Sequence, residues 1–135
     1  MIINLSLYYF YTKQELIKGG NIIMICKSNE NLFKDYKSLA SIRERVKFLH
    51  QYFWDNMIIS KDYNINCTNI LNRHSLILDI VKYSLENRDF IMVHEIDLVC
   101  TCISLDKSQE AKKITKEYNQ IMDKLPPDLK KVFIE

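Results

Sequence analysis

Arg45, His50 and Tyr52 have the residue types and spacing to do chemistry: an Arg, four residues, a His, one residue, a Tyr. A guanidinium neutralises and orients an anionic oxygen, an imidazole moves a proton near neutral pH, and a phenol adds a hydrogen bond. Other constellations fail on spacing. His94-Glu95 opens like a zinc-protease helix, but Leu98 stands where the second His is needed. Cys100 and Cys102, two apart on a helix, point roughly 200° apart and cannot grip one ion. Cys26 and Cys67 have no partner nearby in sequence. With two glycines, Gly19 and Gly20, the chain can write neither a phosphate-cradling loop nor a hydrolase elbow. No metal and no cofactor are expected.

The stretch Arg45-Val46-Lys47-Phe48-Leu49-His50-Gln51-Tyr52, continuing into Phe53, resembles the active-site signature of the HEPN ribonucleases, helical-bundle toxins of bacterial toxin–antitoxin pairs. The resemblance covers eight or nine residues of one helix. It implies a metal-independent ribonuclease in which Arg45 holds the scissile phosphate, His50 moves a proton at the ribose 2′-oxygen or leaving group, and Tyr52 adds a hydrogen bond. It further implies RNA as substrate, a site assembled across a homodimer and a cognate antitoxin. The competing reading is structural, with Arg45 and Lys47 solvated, His50 flanking the core stripe and Tyr52 an aromatic at the boundary.

A second segment, Leu85–Leu98 (LENRDFIMVHEIDL), is similar to part of the small helical accessory proteins encoded near clostridial flagellin genes. There an acidic–aromatic step like Asp89-Phe90 opens an amphipathic helix, and the resemblance implies a chaperone-like binder. An Asp N-cap on any amphipathic helix gives the same pattern. Tyr52, Phe53 and Trp54 are consecutive, so at about 100° per residue they cannot all face one core. At least one belongs at a surface or interface, which singles out Tyr52, Trp54 and Met57 as a protein-binding surface. Burial of that surface beneath the polar stretch Ser60–Asn66 is the alternative.

Composition narrows the class. The chain has 135 residues, 47% of them hydrophobic, and a net charge of +2. That is enough for one core and too balanced for a disordered tail or a nucleic-acid track. The Lys-rich stretch Lys107–Lys124 is offset by Asp106, Glu110, Glu117 and Asp123, a solvated face and not a phosphate track. Four cysteines are too few for a disulfide scaffold, and no apolar run reaches the roughly 20 residues of a membrane span. Ile (19), Lys (15) and Asn (11) dominate while Gly, Ala and Pro have two each, the signature of an AT-rich, low-GC bacterial gene.

In such a gene Lys18-Gly19-Gly20 would be encoded by a purine-rich ribosome-binding stretch just ahead of Met24. Two expectations follow for residues 1–23: they precede the true start at Met24, or they form a short helix ended by a Gly-Gly turn. MIINLSLYYFY lacks a basic leader and a small-residue cleavage site, so secretion and use of the Asn66-Cys67-Thr68 triplet are not expected. Cytoplasmic, reduced thiols are.

Helical periodicity organises the rest, residues 24–135, as one domain. Leu32, Tyr36, Leu39, Ile42, Val46, Leu49, Phe53 and Met57 step by three or four, predicting one long helix capped by Ser28 or Asn29 and ended at Ser60–Asn66. A second helix is expected from Asn69 to about Glu86, a third from Asp89 to about Leu105, and a fourth from Ser108 to the stop at Pro126-Pro127. One continuous helix from Asp89 to Leu125 is the alternative. The last residues, Asp128–Glu135, suit a short turn folding Leu129 and Phe133 back. No strand is expected. The fold class is therefore all-α, a compact bundle of about four amphipathic helices. Its expected work is protein–protein binding as an adaptor, chaperone or regulator, with the ribonuclease as the alternative.

Overall fold

The computed structural model describes residues 27–62 and 64–134, with side chains through residue 131. Expectations on residues 1–23, Met24, Cys26 and the Phe133 side chain lie outside the described residues. Six α-helices make the described fold: α1 Asn29–Lys37, α2 Ile42–Tyr52, α3 His74–Glu86, α4 Phe90–Ser104, α5 Gln109–Asp123 and α6 Pro127–Ile134. Between α2 and α3 run a 3-10 turn Trp54–Asn56, a two-stranded antiparallel ribbon, and a 3-10 turn Thr68–Arg73. The ribbon is β1 Ile58–Ile59 and β2 Ile65–Asn66, pairing Ile58 with Asn66 and Ile59 with Ile65. The class is all-α, as the periodicity predicts.

Four local expectations are corrected. The first long helix is two. Ser38 bonds the carbonyl of Asp35 at 2.7 Å, and Ser41 starts a new helix by accepting from the Glu44 amide at 3.1 Å. Ser41-x-x-Glu44 has the sequence spacing of a capping box, although here the Ser41 hydroxyl donates to Glu44 Oε1 at 3.3 Å. The apolar period continues across the four-residue break, so the stripe did not betray it. The ribbon stands where no strand was expected, because two-residue strands are too short to show alternation. The second helix opens with the 3-10 turn and takes α-helical form only at His74. The C-terminal turn is an eight-residue helix, α6, with Pro127 at its first position, where a missing N–H is harmless.

Other boundaries fall as the sequence indicates. Ser28, Asp89 and Ser108 cap α1, α4 and α5 through the amides of Asn31, Met92 and Ala111. Asp106 separates α4 from α5, accepting from Cys67 N at 2.7 Å and Ser108 N at 2.8 Å, so Asp89–Leu125 is not continuous helix. Helix α3 ends in a Schellman motif: Asp89 N bonds Ser84 O at 2.9 Å, Arg88 N bonds Leu85 O at 3.2 Å, and Arg88 takes φ 53°.

Helices α3, α4 and α5 pack on one another, α1 lies on α3, and α2 on α4. The core holds Leu32, Tyr36, Val46, Leu49, Phe53, Ile70, Leu76, Ile77, Ile80, Met92, Ile96, Ile103 and Ile114, each fully or almost fully buried. Each such side chain contributes roughly 1.5–3 kcal/mol by burial. An aromatic run Phe33–Tyr83–Tyr36–Phe48–Tyr52, with centroids 5.8, 6.2, 5.2 and 4.6 Å apart, staples α1 between α3 and α2. The pairs His74–Glu117 and Tyr118–Asp97 tie α5 to α3 and α4.

Candidate functional site

On α2 the core stripe is Val46, Leu49, His50 and Phe53, the i, i+3, i+4, i+7 positions of one helix face. His50 is therefore 1% exposed, with its ring centroid 6.3 Å from that of Trp54. Burial lowers its pKa below 6.5, favouring the neutral imidazole. Arg45 lies about 140° around the helix from His50, on the side of Phe48 and Tyr52. Its Nη1 donates to Leu39 O at 3.2 Å, and its Nε stands 3.1 Å from Asp89 Oδ2. Tyr52 is half-buried against Phe48. Within one chain, the structure brings Arg45 to Asp89 and His50 to Trp54, and it does not bring Arg45 and His50 to a common face.

The aromatic triplet divides as its spacing requires. Phe53, in the middle, is fully buried, while Tyr52 and Trp54 flank it half-buried. Met57 is half-buried too, and all three of Tyr52, Trp54 and Met57 pack on the edge of the core. Beyond them the chain turns into β1, where Ile58 is 56% and Ile59 63% exposed. Successive strand residues point to opposite faces, so neither face of β1 is covered. Strand β2 is the one against α4, and Ile65 is half-buried. Sequence reasoning stopped at Met57 and missed Ile58 and Ile59. Their signal was two β-branched apolar residues directly before the polar turn Ser60-Lys61-Asp62.

A polar cleft lies where α1, α2 and the α3–α4 junction meet. Tyr36, Lys37, Leu39, Arg45, Tyr83, Asn87 and Asp89 line about 340 Å³. The Arg45–Asp89 pair is only about one-fifth exposed on each side. Tyr36 Oη, Ser84 Oγ and Arg45 Nε are buried; Ser84 is a side-chain hydrogen-bond partner of Tyr36, and Arg45 Nε faces Asp89. Tyr36 and Ser84 are each 1% exposed. The sequence flagged Asp89 only as a helix cap and gave no sign that Tyr36 and Arg45 would meet it.

Among the described residues no group of three or more His, Cys, Asp or Glu side chains is placed to hold a metal, and no helix is long and apolar enough to cross a membrane. Burial pushes the Cys67 thiol up to about 11 and the Cys100 thiol upward as well, so neither is a ready thiolate near neutral pH. No family model, curated protein or solved structure matches the chain.

Proposed function

We propose that this protein works by binding another protein, as an adaptor, chaperone-like or regulatory partner, through the end of the bundle formed by Tyr52–Ile59. The observation that carries this reading is β1 itself: two consecutive isoleucines, more than half exposed on opposite faces of an edge strand. An uncovered apolar edge is a liability for a free protein and a ready template for a partner's chain. Tyr52, Trp54 and Met57 extend the patch inward, giving an amphipathic rim around an apolar centre, the usual anatomy of an interface. The buried thiols of Cys67 and Cys100 support a setting in the reducing cytoplasm.

The test is the native size of the protein in extracts of the cells that carry its gene. Wild type is expected to migrate as a complex well above its own 16.1 kDa. The Ile58→Asp/Ile59→Asp double variant is expected to migrate as the free chain while keeping its helical circular dichroism. Wild type and variant migrating alike would overturn the proposal.

A further inference from the structure

The hydrogen-bond register of the ribbon fixes which main-chain groups face outward. Ser60 N donates to Asn64 O at 2.9 Å, while Ile58 pairs with Asn66 and Ile59 with Ile65. Bonded and non-bonded positions alternate along an antiparallel pair. Ile58 and Ser60 therefore direct their main-chain groups at β2, and Ile59 directs both its N–H and its C=O away from it. Met57, two residues earlier and extended at φ −82° and ψ 139°, gives its N–H to Trp54 O at 3.2 Å. Its C=O falls on the same outer edge as Ile59. The sheet has two strands, so among the described residues no strand pairs with that edge, and it is β2 that lies against α4.

These groups define the kind of partner. An extended chain presents an acceptor and a donor in sequence, at the spacing of the Ile59 N–H and C=O, and continues to the Met57 C=O. The Ile58 and Ile59 side chains, on opposite faces of β1 and both more than half exposed, would then lie beside the side chains of the added chain on both faces. The geometry points to strand addition: the partner of the ribbon end contributes a short extended segment, with apolar side chains in succession, that pairs main chain to main chain with Ile59. The ribbon becomes three-stranded. This inference rests on the binding function proposed above and names the form in which the partner binds.

Ile59→Pro tests it, because proline deletes the outward N–H and no bond to β2, and sheets tolerate proline at such edge positions. Ile59→Val is the control, with three side-chain carbons like proline and its N–H kept. Native size is measured for each in extracts of the cells that carry the gene. The ratio of complexed to free chain is expected to stand about tenfold lower for Ile59→Pro than for Ile59→Val. The Hα–Hα nuclear Overhauser contact between residues 59 and 65, the mark of a non-bonded pair, reports that the ribbon persists in both. A backbone ester in place of the Ile59 amide removes the N–H and keeps the whole side chain, and is expected to show the same loss even if proline distorts the ribbon. Equal ratios for the ester and wild type would overturn strand addition. Loss of the complex in Ile58→Asp/Ile59→Asp would in that case leave the binding function standing. A complex that the double variant retains would overturn the binding function and this inference together, and a species of twice the chain mass would overturn the assignment to a different protein.

Discussion

Burial of the His50 imidazole beside Trp54 makes the fold sensitive to mild acid. Its folded pKa lies below the unfolded 6.5, so the unfolded chain takes up the proton first as pH falls. Stability is expected to be flat above about pH 6.5 and to decline from there toward the folded pKa, with His50→Leu flattening that part of a melting-temperature profile. Asp106 acts in a lower window. Desolvation raises its pKa, but the amides of Cys67 and Ser108 and the Ser108 hydroxyl outweigh it and hold the carboxylate below 3.8. Its contribution is intact above about 3.8 and lost as pH falls through the folded value. Asp106→Asn, which keeps one acceptor oxygen of two, should cost about 1–3 kcal/mol in chemical denaturation at neutral pH. The same burial bears on chemistry. Induced expression of wild type, Arg45→Ala and His50→Ala is expected to leave growth of a bacterial host alike. Arrest by wild type, relieved by both substitutions, would instead favour the ribonuclease.

At the scale of elements, the junctions decide what was legible. The caps at Ser28, Asp89 and Ser108 and the stop at Pro126-Pro127 were readable, because a side-chain oxygen or a missing N–H acts within one turn of its own position. The break between α1 and α2 was not read. Leu39 keeps the helical phase across the turn, and periodicity reports which side faces the core, not whether the backbone is continuous. The Ser41-x-x-Glu44 sequence spacing held the missing information. His50 was placed beside the stripe by one reading and in a catalytic pattern by the other. Its membership of the stripe with Val46, Leu49 and Phe53 follows from helix geometry, whereas the meeting of Arg45 with Asp89 depends on packing that no local pattern encodes. Arg88 offers a test at this scale. It holds φ 53° at the position of the Schellman motif that glycine fills best. Arg88→Gly should raise stability by up to about 1 kcal/mol, the relief of left-handed strain exceeding the added entropy of the unfolded chain. A drop in the denaturation midpoint would refute that account of the junction.

For the molecule as a whole, α3, α4 and α5 form the packed centre, and α1 and α2 complete it. This arrangement leaves the ribbon at the end of the bundle, attached through β2, with the outer strand bare. Exposed positions contribute little to folding, so Ile58→Asp and Ile59→Asp should each change unfolding free energy by no more than about 0.5 kcal/mol. Under the proposed binding function, their effect is on association. A photo-reactive amino acid at position 59, introduced into the chain in cells that carry the gene, tests this most directly. The account predicts one discrete adduct with a different protein, lost when Ile58→Asp is added and missing when the probe stands at Lys113 on the charged face of α5. An adduct of two copies of this chain, equal labelling from both positions, or no adduct from position 59 would contradict it.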